Sequence, residues 1–279
     1  SVAKEVNLIT SDKDIAITSN DLANLSDEKV KKILPNLRVV ARSLPEDKSR
    51  LVRLSEELGL VAGMTGDGVN DAPALKKADV GFAMGSGSEV CKEASDIVIL
   101  DDNFLSITKA ILFGRTIFKS IRKFIIFQLT INLCAVSLSI IGPFIGVETP
   151  VTIVQMLWIN MIMDTLAGIA FSYEPTLKSY MYEQPKKKEE TIINKYMYGE
   201  ILFTGIYSSL LCIFFLTNDT IKSLYRYDPN NKYFMTAFFA LFIFMGIFNS
   251  FNARTTRINI LSNLSKNKAF LIVTLIIVI

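Results

Sequence analysis

Histidine is absent from this chain of 279 residues. That removes imidazole, both as a general base and as the commonest transition-metal ligand. Carboxylates, amides and backbone oxygens are left, and these suit hard cations such as magnesium and calcium. Cysteine is scarce: Cys91, Cys134 and Cys212 stand far apart, without the spacing of a disulfide framework or a zinc site. The net charge of +3 is too small to argue for a nucleic-acid partner. No signal peptide and no initiator methionine open the chain. SVAKEVNLIT starts like a helix end followed by a strand. The last apolar run, Ala269 to Ile279, is shorter than the roughly 20 residues a spanning helix needs. Both ends read as cut, so we expect a fragment of a longer protein.

What is present is apolar surface, distributed unevenly. Half of the residues are hydrophobic, a fifth are charged, and the mean hydropathy is +0.36. Residues 1–110 mix apolar and charged positions as a soluble domain does, while residues 119–279 carry long apolar runs. One soluble part and one membrane part are expected.

In the soluble part, SDEKVKKIL (Ser26–Leu34) has helical spacing behind a serine cap, and Leu37–Ser43 reads as a strand. Pro45 opens a helix that Gly59 ends. Strands are predicted over Leu60–Met64, Val80–Met84 and Ile97–Leu100, with helices over Pro73–Ala78 and Ser88–Ala94. Short apolar strands alternating with helices imply a mostly parallel α/β sheet. Ligands of such sheets gather at the carboxyl ends of the strands. TGDGVND (65–71) and the RSLPEDK turn (42–48) both fall there.

The chemistry of TGDGVND follows from its residue types. Asp67 and Asp71 are carboxylates four apart in a glycine-rich turn. Gly66 and Gly68 let backbone amides approach an anion closely. Carboxylates beside free amides make a natural site for Mg²⁺ and phosphate, and Lys48 could neutralise the phosphate. Read from residue types alone, the same string is equally an Asx-rich surface turn.

In the membrane part, spans are placed at about 122–142, 151–173, 197–217 and 233–252, with a fifth beginning near 268. Phe104–Lys123 bridges the two parts with helical spacing and a basic end. PKKKEE (185–190), NARTTR (252–257) and SKNK (265–268) are rich in Lys and Arg and are expected on the cytoplasmic side. Gly146–Thr149 and the loop from Asp219 to Lys232 are expected on the other side, although Lys222, Arg226 and Lys232 soften the contrast. Asp164 sits near the middle of its span, where a charge costs about 2.5–3.5 kcal/mol on insertion scales, so a partner or a function is expected. Asn160 precedes it by four residues, on the same face of a regular helix, and Asn132 is near the middle of the preceding span. Together they could offer oxygens to one cation. Taken alone, either asparagine reads first as a helix–helix hydrogen-bonding residue. Trp158, the Tyr196/Tyr198/Tyr207 group and the run Phe234–Phe251 read as interface anchors, lipid-facing surface or packing.

Longer strings carry a resemblance. TGDGVNDAPALKKADVGFAMG (65–85) closely resembles the hinge motif of P-type cation-transporting ATPases, within their haloacid-dehalogenase-like phosphorylation domain. ARSLPEDKSRLV (41–52) and SEVCKEASDIVILDDNF (88–104) extend the similarity on both sides. FQLTINLCAV (127–136) and VQMLWINMIMDTLAG (154–168) resemble the fifth and sixth membrane helices of calcium pumps, and FNSFNART (248–255) is similar to the same pumps. The resemblance covers essentially the whole chain. It implies residues 1–103 as the C-terminal part of a phosphorylation domain, 104–121 as a stalk helix and 122–279 as an all-α transmembrane domain. It also implies that Asp67 binds Mg²⁺, that Asn70 and Asp71 support the phosphorylated site, and that Lys48 contacts the phosphoryl group. Asn132, Asn160 and Asp164 fall on ligand positions for the transported cation. Ala135 and Met163 replace a glutamate and a threonine of two-site calcium pumps, as in the plasma-membrane and secretory-pathway types, which bind one ion.

The family's phosphorylated aspartate lies in a DKTGT motif, and no DKT occurs here. ATP is therefore expected to be bound mainly by domains outside this chain, and the chain alone is expected to be inactive. The expected partners are the lipid bilayer, the cation and the N-terminal portion of the same pump, with the soluble part cytoplasmic. Three other readings stay open from the sequence. They are a pump for Mn²⁺, Na⁺ or H⁺, a non-catalytic membrane subunit derived from a pump, and a membrane-anchored phosphohydrolase.

Overall fold

The computed structural model describes residues 2–186, 189–255, 259–262 and 264–278. Lys187 and Lys188 of the first basic loop, and Thr256 and Arg257 of the second, lie outside the described residues. The chain divides into two units. The first runs to Ile111 and includes 183–190; the second comprises 112–182 and 191–279.

In the first unit, α1 (Val2–Glu5), β1 (Ile15–Thr18), α2 (Ser19–Ala23), α3 (Asp27–Ile33) and β2 (Leu37–Ala41) come first. They are followed by α4 (Pro45–Glu57), β3 (Gly63–Gly66), α5 (Ala72–Lys77), β4 (Val80–Met84), α6 (Glu89–Ala94) and β5 (Ile97–Ile99). Every strand pair is parallel, as expected, but the strands form two sheets: β1–β2, and β3–β4–β5 with β4 in the middle. No strand follows α1 directly: the chain turns through residues 6–14, and the first strand starts only at Ile15. Ser26 stands at the N-cap of α3, yet its hydroxyl makes no capping bond.

The strand predicted at Leu60–Met64 lies further along, at Gly63–Gly66. The reason is local. Gly59 takes φ +72°, and the Leu60 N–H returns to Ser55 O at 3.1 Å, so these residues close α4. The Ala62 N–H then goes to Asp79 Oδ2 at 2.9 Å instead of a ladder partner. The strand therefore runs into the glycine-rich string, pairing Thr65 with Phe82 and Gly66 with Ala83. Behind β3 and β4, Leu75, Ala83 and Cys91 form a small buried core.

The second unit is helical. The helix that starts at Phe104 is uninterrupted to Ile141 (α7). It is followed by α8 (Ile153–Trp158), a π-helical turn (Ile159–Met163) and α9 (Asp164–Ser172). Then come α10 (Lys195–Thr217), α11 (Asp219–Ser223), α12 (Lys232–Arg254) and α13 (Lys268–Val278). Thr152 and Gln155 form a reciprocal capping box before α8, and Asn194 caps α10 through the Met197 N–H at 2.9 Å. Four helical stretches are long and apolar enough to cross a membrane: 104–145, 153–172, 195–217 and 232–254. Their common core centres on Phe127, Leu138, Met163, Phe171 and Phe238. The phenylalanines of α12 divide by face: Phe234, Phe238 and Phe242 recur every four residues and are buried, while Phe244 and Phe248 are exposed.

Candidate functional site

The glycine-rich string forms a turn at the carboxyl end of β3. The strand delivers Gly66, and a 3₁₀ turn (Val69–Asp71) leads into α5. The Asp71 side chain folds back under this turn and is buried. Its Oδ2 accepts from the Asp67 and Gly68 amides, at 3.4 and 3.5 Å. Its Oδ1 accepts from Lys48 Nζ at 2.5 Å. Burial works against the Asp71 charge, but Lys48 and then the two amides outweigh it, and the carboxyl is held below its ordinary value. The fold-back explains Gly66, since a Cβ there would overlap the Asp71 side chain.

Lys48 is delivered from the first turn of α4. That turn is pinned by Asp47, whose Oδ2 accepts from the Leu44 N–H at 2.9 Å and from Ser19 Oγ at 2.6 Å. Asp67 differs from Asp71: its side chain is exposed and makes no hydrogen bond or ion pair among the described residues. Its carbonyl accepts the Ser88 N–H at 2.9 Å, which ties the turn to the start of α6. Asn70 is exposed beside it. The sequence reading passed over two supports. A Cβ at Gly87 would press on the Asp67 backbone. Cys91 lies buried close by, its thiol pushed up by burial and by the Asp71 and Asp67 carboxylates.

The structure thus brings Lys48, Asp71, Gly66 and Gly68 together and leaves Asp67 and Asn70 facing water beside them. An unengaged carboxylate on a glycine-rich turn fits a hexacoordinate hard cation, which takes one or two protein carboxylates and fills its other positions with water and phosphate oxygens. Among the described residues no group of three or more acidic or thiol side chains forms an all-protein metal cage.

In the helical unit Asp164 is buried, with 6 % of its surface exposed. Its Oδ2 accepts from Gln128 Nε2 at 3.2 Å, and its Oδ1 is buried without a hydrogen-bond partner. Asn132 is half-buried on α7, one turn beyond Gln128, whereas Asn160 is exposed. The expected shared face of Asn160 and Asp164 is therefore not seen. The Asp164 N–H bonds Ile159 O, five residues back, so Asn160 lies within a π turn. Met163, inside the same turn, is buried and packs against Gly246 of α12. Ala135 is likewise buried, so neither position offers an oxygen. Gln128 escaped the sequence reading; the available signal was one amide in an apolar run, four residues before Asn132.

Comparison with known proteins covers both units. Residues 148–279 match the family described as "Cation transporting ATPase, C-terminus", and residues 62–111 match "haloacid dehalogenase-like hydrolase". The chain is 39 % identical over 281 residues to "Calcium-transporting ATPase 2" of Schizosaccharomyces pombe, covering 99 % of this chain and 22 % of that protein. It is 43 % identical over 250 residues to "Plasma membrane calcium-transporting ATPase 1" of Mus musculus, covering 84 % of this chain and 20 % of that protein. With "Plasma membrane calcium-transporting ATPase 4" of Bos taurus the identity is 41 % over 272 residues, or 92 % and 22 %. The chain thus spans about a fifth of the length of these relatives.

Proposed function

The chain belongs to the P-type cation-transporting ATPases of the calcium-pump type, and on that premise we propose that it works as part of an ATP-driven calcium transporter. It is a multi-pass membrane protein. The first unit is the cytoplasmic phosphoryl-handling part. Lys48 presents its ammonium to the transferred phosphoryl group, and Asp71 holds that ammonium in place. Asp67, with Asn70 beside it, is the group that would hold Mg²⁺. When bound, the ion supplies charge neutralisation at the phosphoryl oxygens. The aspartate to be phosphorylated comes from outside this sequence, so the chain by itself does not turn over ATP. The calcium-transporting relatives favour Ca²⁺ over Mn²⁺, Na⁺ or H⁺ as cargo.

The observation that carries the transport reading is the Asp164 Oδ1, buried in a helix bundle with no partner. A carboxylate oxygen is costly to bury bare, and a cation travelling through the bundle would satisfy it. Asn132, half-buried one turn beyond Gln128 on α7, supplies a further oxygen, whereas the exposed Asn160 does not face this carboxylate. Ala135 and Met163 contribute none, which supports a single ion per cycle. As one uninterrupted helix, α7 carries movement at Phe104 along to Gln128 and Asn132.

The test is calcium uptake into vesicles by the full-length pump carrying Asp164→Asn. The half-saturating calcium concentration should rise by about tenfold or more, the equivalent of roughly 1.4 kcal/mol. An unchanged calcium affinity would sink the assignment of the site.

A further inference from the structure

Ten residues beyond Asp164, a second acidic side chain is buried in the helical unit. Glu174 follows the end of α9, with 7 % of its side chain exposed. Its Oε2 pairs with Lys123 Nζ of α7 at 2.7 Å. Its Oε1 accepts from Asn267 Nδ2, just before α13, at 3.0 Å. The Arg254 guanidinium at the end of α12 lies 3.7 Å from the same oxygen, with 1 % of its side chain exposed. Asn267 also donates to Ala170 O of α9 at 3.2 Å and accepts the Phe270 N–H of α13 at 2.9 Å. Four helices therefore converge on one carboxylate.

The placement of Lys123 gives this node a consequence for the cation site. Lys123 precedes Gln128 by five residues on α7, about 7.5 Å along the axis. Gln128 bonds Asp164, and Lys123 pairs with Glu174. Moving back along α7 from Gln128 to Lys123 corresponds to moving forward along the chain from Asp164 to Glu174, so the two stretches run antiparallel and are tied at two heights. A single tie leaves a helix free to pivot. Two ties set both its rotation and its axial register. Ligand oxygens must be held within about 0.5 Å for selective binding, so the lower tie bears on the upper one.

We propose that Glu174 and Lys123 are positioning residues for the cation site, setting the register of Asp164 against Gln128 and Asn132. This rests on the reading of Asp164 as a cation ligand. The ion pair does not touch the cargo; it determines where the Asp164 carboxylate stands when the cargo arrives. Arg254 and Asn267 hold the Glu174 carboxylate from the opposite side, so the pair cannot slide as a unit.

The experiment measures calcium activation of ATP hydrolysis in the full-length pump, with Glu174→Gln, Lys123→Met, the double variant, Lys123→Arg, and Asp164→Asn as reference. The expected result is an increase of about three- to tenfold in half-saturating calcium for each single variant, with less than a twofold loss of maximal rate. The double variant should be no worse than the poorer single one, and Lys123→Arg should restore wild-type affinity. Loss of maximal rate or of protein yield at unchanged half-saturating calcium would show a purely structural pair and overturn the proposal. Additive shifts would overturn it too. If Glu174→Gln fails to reach the membrane, Lys123→Met, at the more exposed partner, decides alone. If Asp164→Asn shifts affinity and the pair variants do not, only this inference fails. If Asp164→Asn itself has no effect, the site reading falls and this inference with it.

Discussion

In the first unit the buried Asp71 has a lysine at 2.5 Å and two loop amides behind it, whereas the buried Asp164 of the helical unit has one amide at 3.2 Å and an oxygen with nothing. The contrast follows from where each site meets its ligand. The turn beyond β3 opens to water, so its free carboxylate, Asp67, can wait hydrated at no great cost. Asp71 is then available as a structural anchor, and a permanent protein cation stabilises it. Inside the bundle there is no water-facing alternative. On our proposal the buried carboxylate is itself the ligand, and a permanent cation beside it would compete with the cargo. Of these two buried aspartates, the one with partners on both oxygens serves as an anchor, and the one with a bare oxygen is the one we read as the cation ligand.

The widest separation between the two regions should come from Lys48→Met. It removes the cation from the phosphoryl site and leaves Asp71 buried on two long amide contacts. We expect ATP turnover of the full-length pump to fall about 10²–10³-fold, the range seen when one preorganised charge or donor is lost. Equilibrium calcium binding at the Asp164 site should be nearly unchanged. A turnover loss of only a few-fold would remove Lys48 from the phosphoryl-handling role.

A smaller effect separates two glycines. A Cβ at Gly66 would overlap the first carbons of Asp71, which are fixed by Lys48 and the turn. Gly66→Ala should cost about 1–3 kcal/mol, as overpacking does. A Cβ at Gly246 would meet chiefly the thioether end of Met163, which can swing aside. Alanine also favours the α12 helix by about 0.5–1 kcal/mol, so Gly246→Ala should be close to neutral. Thermal unfolding of both variants in the same detergent compares them directly. An equal loss at the two positions would break the distinction between a rigid and a yielding neighbour.

The smallest expected effect is in pH dependence. The Asp71 carboxyl is held below its ordinary value of 3.8 when folded. Its contribution to stability is therefore complete above about pH 4 and is lost as pH falls through the ordinary value towards the folded one. The wild-type melting temperature should drop between pH 6 and pH 3.5 by more than that of Lys48→Met, in which much of the lowering influence is already gone. Parallel curves would mean that the lysine does not set the Asp71 titration.

Much of this was legible before any coordinates. Helix α4 is bounded by Pro45 and Gly59, and both act as their chemistry dictates. The five-residue strand β4 lies where its apolar run does. That Lys48 and the TGDGVND string belong to one phosphate site was readable as chemistry, though not that Lys48 pairs with Asp71. Three things were not legible. Strand β1 is four residues long and follows a polar turn, so no periodicity announces it. The start of β3 depended on how Gly59 and Asp79 capture the amides of Leu60 and Ala62. The π turn has no proline or glycine to mark it, and spacing alone did not show that Asp164 is buried while Asn160 is exposed.

Residue chemistry alone determined that this is a parallel α/β unit followed by apolar helices, that its ligands are oxygens, and that Asp164 needs a partner. Those conclusions depend on composition, on short-range periodicity and on the cost of burying charge, and all three are local. Tertiary structure decided which carboxylate each cation faces, that Gln128 meets Asp164, and that Glu174 joins four helices. Those are contacts between residues 23 to 93 positions apart, and no local pattern encodes them. They arise only when packing fixes the rotation of one helix against another.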